Sequence, residues 1–78
     1  MKYRELLTML SQENYNAPTP SGDHSDEERA KNHRCMYCSG EMKYLIAITA
    51  PSHPQHNYRG FLVCRNCSEV VETHGYGW

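Results

Sequence analysis

Two Cys-x-x-Cys pairs, Cys35-Met-Tyr-Cys38 and Cys64-Arg-Asn-Cys67, are the residues of this 78-residue chain whose types and spacing are best suited to chemistry. Deprotonated cysteine sulfur is a soft ligand. Four thiolates presented by two turns can close a tetrahedral shell around one metal ion, and zinc is the commonest occupant of such shells. With Cys35, Cys38, Cys64 and Cys67 all serving as ligands, no position is left for a catalytic water, so the expected site is structural. The 25 residues between Cys38 and Cys64 are enough for an outgoing strand, a loop and a returning strand.

An even cysteine count in a short chain also fits a disulfide framework, and unpaired thiols are a third reading. Three features favour metal. Met1-Lys-Tyr-Arg-Glu-Leu-Leu7 carries charges where a secretory signal needs an apolar run. No stretch approaches the roughly 20 apolar residues of a membrane span. Paired x2 spacing suits chelation better than cross-linking. The expected compartment is therefore a reducing one, such as the cytoplasm. The five histidines are not required as ligands. His33 can replace a cysteine, and His53 with His56 can pinch a second metal, but two ligands alone make a poor site. His74 reads as a surface residue at a strand end.

The net charge of −1 is unevenly spread. Residues 1–30 set Lys2, Arg4 and Arg29 against Glu5, Glu13, Asp23, Asp26, Glu27 and Glu28, a net −3. Residues 31–78 set Lys31, Arg34, Lys43, Arg59 and Arg65 against Glu41, Glu69 and Glu72, a net +2. Four thiolates around one dication add −2, cancelling that surplus. Strong nonspecific nucleic-acid binding rests on many phosphate contacts, and five dispersed cations supply few.

The elements that must position the cysteines follow from pattern. Residues 1–13 read as an amphipathic helix with Tyr3, Leu6, Leu7 and Leu10 in one stripe, stopped by Asn14, Asn16, Pro18 and Pro20. A helix this short is marginal alone. Its stripe needs the chain's own sheet, a docking partner or a second copy to cover it, or it stays disordered until bound. Residues 14–33 read as a linker. Ser25 to Glu28 has the form of a capping box, and a short acidic helix from Asp26 to about Asn32 is expected to face solvent. Residues 34–78 form the metal-held domain. Glu41 to Ala50 is the outgoing strand, with Met42, Tyr44, Ile46 and Ile48 on one face and Lys43, Leu45, Ala47 and Thr49 on the other. Pro51 to Asn57 is the loop, Tyr58 to Val63 the returning strand, and Glu69 to Thr73 a third. Gly40 and Asn66 are the residues best able to take a left-handed turn beside each pair. A structural zinc supplies roughly 10–16 kcal/mol in finger-sized peptides, so without metal this half is expected to unfold.

From Cys35 to about Thr73 the chain resembles the zinc-ribbon family, in which two metal-gripping turns are joined by a β-hairpin. The usual turn of that family is Cys-Pro-x-Cys-Gly. Neither turn here has the proline, and only the first has a glycine nearby, Gly40. The resemblance implies a zinc ribbon of three short antiparallel strands with one structural Zn2+. It also implies a place in transcription or other nucleic-acid machinery. Ribbons of transcript-cleavage factors carry an acidic pair at the hairpin tip. Ser52-His-Pro-Gln-His-Asn57 has no carboxylate, so that activity is not carried over. Rubredoxins share the two-pair layout around iron but little else. Some HNH nucleases enclose their catalytic element with two such pairs, and His53 and His56 lie between the pairs here. Those enzymes need a helix after the later pair, where Ser68 to Thr73 reads as strand and Gly75 and Gly77 oppose a helix.

The expectation from sequence is a non-catalytic accessory or regulatory protein that binds a larger protein. Leu6, Leu7 and Leu10 are its candidate docking or self-association stripe, with Arg59, Arg65, Tyr58 and Trp78 as further candidate contacts. The alternative is nucleic-acid binding, with Arg34, Lys43, Arg59 and Arg65 on phosphates and Tyr44, Tyr58, Tyr76 or Trp78 stacking on bases. On size alone, the brevity suits a small phage-encoded or bacterial regulator.

Overall fold

In the computed structural model residues 1–73 are described. Helix α1 (Tyr3–Gln12) begins where the Glu5 carboxylate accepts from the Lys2 amide at 3.2 Å. It ends where Asn14 turns left-handed at φ 62° and the Tyr15 amide returns to the Leu10 carbonyl at 2.9 Å. Its buried residues are Leu6 and Leu10, with Tyr3 and Met9 packed beside them, while Leu7 is 39% exposed. The chain's own sheet therefore covers the stripe expected as a docking surface. Only Leu7 of the three leucines is left outside.

The sheet has four strands, not three, in the order β1-β2-β3-β4, every neighbouring pair antiparallel. Strand β1 (Thr19–Pro20) lies inside the expected linker and pairs Thr19 with Ile46 and Pro20 with Leu45. Ahead of it the Asn16 amide donates to the Ile48 carbonyl at 2.8 Å, and Tyr15 bridges to Thr49. The polar linker is thus recruited because the edge of β2 offers unpaired backbone groups that it can satisfy. Strands β2 (Met42–Ile48) and β3 (Tyr58–Cys64) pair without a bulge from Met42↔Cys64 to Ile48↔Tyr58. Strand β4 (Val70–Thr73) then pairs along β3 from Val63↔Val70 to Gly60↔Thr73.

Helix α2 (His24–Asn32) starts earlier than the capping-box pattern implies. Asp23 is the cap, its carboxylate accepting from the Ser25 amide at 2.8 Å. Nor does the helix lie free in solvent: Ala30 is fully buried against the sheet. A single alanine suffices because its small side chain lets the helix approach closely.

Alternation along the strands gives the sheet two apolar faces, one per helix. Leu45, Ala47, Phe61, Val63 and Val70 meet Leu6 and Leu10 of α1. Met42, Tyr44 and Leu62 meet Ala30 of α2 together with Cys35 and Cys64. Only the second core contains cysteine. Beneath Tyr44, Gly60 has no room for a side chain: a Cβ there would collide with the Tyr44 hydroxyl and with Thr73 Oγ1. On the α1 side Arg59 makes a two-pronged contact with Glu72 at 2.7 and 2.8 Å and reaches Glu13 at 2.9 Å. It thereby ties the end of α1 to β4.

Candidate metal centre

Register places the centre. Because Met42 pairs with Cys64, the residues before β2 and after β3 emerge side by side, and each pair of cysteines forms a turn at the same end of the hairpin. The four Sγ atoms all lie within 4.8 Å of one another. The closest approaches run between the turns, Cys35 to Cys67 at 3.5 Å and Cys38 to Cys64 at 3.4 Å. Four thiolates about 2.3 Å from a common ion would sit about 3.8 Å apart at the edges of a regular tetrahedron. The observed spread brackets that value, so the sulfurs can hold one metal ion. All four thiols are free of disulfides.

The two turns are built alike. In the first, the Tyr37 amide points at Cys35 Sγ at 3.4 Å, the Ser39 amide donates to the Cys35 carbonyl at 2.8 Å, and the Cys35 amide donates to the Gly40 carbonyl at 3.1 Å. In the second, the Asn66 amide points at Cys64 Sγ at 3.4 Å, the Ser68 amide donates to the Cys64 carbonyl at 3.2 Å, and the Cys64 amide donates to the Glu69 carbonyl at 2.9 Å. Every contact recurs at the same offset from the first cysteine. N–H donors aimed at sulfur favour the thiolate, as the surroundings of a metal ligand should.

The left-handed residues are Ser39 and Ser68, at φ 60° and 63°, and not Gly40 and Asn66 as the sequence suggested. Gly40 is needed for space instead. A Cβ there would stand 3.1 Å from Cys38 Sγ, Cys64 Sγ and Asn66 Cβ alike.

Electrostatics divides the sulfurs. Amide donors from Cys67 and Asn66 bring the Cys64 thiol down to about 6, against the opposing effect of burial. The Tyr37 amide likewise lowers Cys35. At Cys67 the Glu69 amide acts to lower the pKa, but burial and the sulfurs of Cys35, Cys38 and Cys64 outweigh it and push the thiol up to about 12. Crowded thiols resist losing their last protons because negative charge accumulates among them. A bound cation removes that resistance.

The start of the chain closes over the second turn. The Lys2 ammonium lies 3.0 Å from Glu69 and 3.0 Å from the Cys67 carbonyl. Around it the Tyr3 amide donates to the Ser68 carbonyl at 2.9 Å, and the Val70 amide to the Met1 carbonyl at 2.7 Å. Sequence reading did not single out Lys2 or Glu69, whose pairing spans the chain.

The other candidates scatter. Arg59 is engaged with Glu13 and Glu72, and Arg65 lies near Glu41 at 3.8 Å. Tyr58 is exposed at the far end of the hairpin, and Trp78, Tyr76 and His74 lie outside the described residues. Exposed His33 precedes the first turn without joining the sulfurs. His53 is turned onto its own loop, where Nδ1 accepts from the Gln55 amide at 3.1 Å. Among the described residues, the four cysteines are the one place where three or more metal-compatible side chains gather. Also among them, no helix is long and apolar enough to cross a membrane. No protein-family model matches the chain, and no curated protein or solved structure is significantly similar to it.

Proposed function

We propose that this chain is a non-catalytic zinc-ribbon protein in which Cys35, Cys38, Cys64 and Cys67 hold one structural Zn2+, and that it binds a larger protein. The observation that carries the protein-binding reading is the cluster of Met36, Tyr37 and Val71 beside the first turn, 81%, 70% and 44% exposed. Large apolar side chains grouped at the surface mark interaction sites more often than chance. The zinc reading rests on four convergent sulfurs, the ligand set typical of closed structural sites. Such a set also requires reduced thiols, which suits a cytoplasmic protein. Service to transcription or other nucleic-acid machinery follows from the zinc-ribbon resemblance alone.

Elemental analysis of the reduced protein should find one zinc per chain; metal-free, folded protein would overturn the zinc reading. Affinity capture from a cell lysate with metal-loaded chain should then retain a stoichiometric protein partner. If none is retained, the binding reading falls.

Nucleic-acid binding is the second reading, and one observation favours it. A groove of about 340 Å3 is lined by Lys31, Lys43 and Arg65 against the single carboxylate of Glu27. Steep salt dependence of binding to random single-stranded RNA or DNA would support it, and no binding at low salt would remove it.

A further inference from the structure

Met36 and Tyr37 occupy the two positions between the ligands of the first turn, so the fold has fixed their backbone while leaving their side chains uncovered. Between them and Val71 lies a hollow of about 150 Å3. Its lining includes Met42 and Leu62, which belong to the core behind it. An apolar cavity of about that volume admits a benzene molecule. A hollow of that volume has room for a single aliphatic or aromatic side chain.

Two charged side chains stand on the wall. The Glu69 carboxylate is answered by Lys2 at 3.0 Å and by the amino terminus at 3.3 Å. Arg34 is exposed and has no ion-pair partner among the described residues. Cys35, one of the four ligands, also lines the hollow, and its sulfur is met there by the Tyr37 amide at 3.4 Å. With Glu69 answered by Lys2 and the amino terminus, the exposed Arg34 guanidinium is the cation on this wall that a ligand's carboxylate can meet, beside His33.

We propose that this hollow beside Met36, Tyr37 and Val71 receives one apolar side chain of a protein partner, with a neighbouring carboxylate of that partner meeting Arg34. The proposal rests on the protein-binding reading above and names its contact. Because the hollow is walled by a turn whose ends are metal ligands, binding requires the metal-loaded protein.

The test titrates the 15N-labelled, metal-loaded full chain with three capped pentapeptides: Gly-Asp-Phe-Gly-Gly, Gly-Lys-Phe-Gly-Gly and Gly-Asp-Ala-Gly-Gly. Amide shifts should centre on Met36, Tyr37 and Val71. The Asp-Phe peptide should bind at least about tenfold more tightly than Asp-Ala, as expected for burying one large apolar side chain. It should bind about two- to fivefold more tightly than Lys-Phe, as expected for an exposed ion pair. Arg34→Glu should reverse the second preference. Met36→Ser and Tyr37→Ser, both at exposed positions, should weaken Asp-Phe binding without altering metal content.

Shifts centred elsewhere, equal binding of the Phe and Ala peptides, or indifference to Asp and Lys would each overturn the proposal. Concentration-dependent shifts at Met36, Tyr37 and Val71 without peptide would make the occupant a second copy and overturn it too. A lysate partner still held by the Met36→Ser/Tyr37→Ser variant would remove the hollow and keep the protein-binding reading. A wild type that captures nothing removes that reading itself.

Discussion

Ser39 and Ser68 hold the same left-handed backbone conformation, each one residue beyond the second cysteine of its pair. The pairing of these two serines shows the centre to be one turn made twice, with the hairpin bringing the copies together. A left-handed residue other than glycine costs roughly 1–2 kcal/mol. Glycine at either position should stabilise the loaded protein by about 0.5–1 kcal/mol, after allowing for its greater freedom when unfolded. Valine, whose branched side chain resists this conformation, should destabilise it and lower metal affinity. Thermal melts of Ser39→Gly, Ser68→Gly and Ser68→Val check the order. Equal effects at a surface serine elsewhere would count against it.

Gly40 faces both turns at once. Adding one methyl group places it 3.1 Å from two ligand sulfurs and from Asn66 Cβ, so those neighbours must give by a few tenths of an ångström. Overpacking of this kind costs about 1–3 kcal/mol. Gly40→Ala should therefore weaken metal binding by about tenfold or more in competition with a chromophoric chelator. An unchanged affinity would mean that those neighbours give way at no cost.

Metal removal should act unequally on the two faces of the sheet. The α2 core includes Cys35 and Cys64 themselves, whereas the α1 core of Leu6, Leu10, Leu45, Ala47, Phe61, Val63 and Val70 contains no ligand. Chelation should first expose amides of α2 and both turns, with protection persisting longest near Leu45 and Phe61. Hydrogen exchange before and after chelator reads this directly. Simultaneous loss everywhere would restore the expectation drawn from sequence, in which the metal alone holds this half together.

The leucines of α1 should separate sharply. Leu10 is buried in the core, so Leu10→Ala should cost about 2–5 kcal/mol. Leu7 faces outward, so Leu7→Ala should stay within about 0.5 kcal/mol. Denaturant unfolding of the two metal-loaded variants decides it. Similar losses would mean that α1 rotates in solution.

Alkali should release the start of the chain. The hydrogen bond that the Lys2 ammonium donates to the Glu69 carboxylate is the largest influence holding Lys2 above its ordinary 10.5. A raised pKa stabilises the fold fully below 10.5, and that contribution fades as pH rises through the higher folded value. Following the Lys2 Cε resonance of loaded protein should show a midpoint above 10.5, returning toward it in Glu69→Gln. Identical midpoints would show that Lys2 and Glu69 do not pair in solution.

Much of this was legible in the residues themselves. The two Cys-x-x-Cys pairs announced the centre, and the alternation from Met42 to Thr49 announced β2 with its correct faces. Strand β1 was not, because Thr19 and Pro20 join the sheet through an edge that β2 offers and not through any propensity of their own. The seating of α2 escaped notice because one alanine makes it, and an alanine carries no hydrophobic pattern. Ser39 and Ser68 took the conformation expected of Gly40 and Asn66 because the hydrogen bonds around each cysteine, together with the space between the turns, decided where the chain must bend. Arg59, Lys2 and Glu69 are ordinary surface charges until the fold brings distant residues against them.

Pro20 sits in β1, the outermost strand on its side, and has no amide hydrogen to offer a further strand. Pro18 lies two residues before it. A neighbouring molecule seeking to extend the sheet from that flank finds the ladder interrupted where it would have to begin. Such an interruption is one of the ways a sheet edge is kept from pairing with another chain.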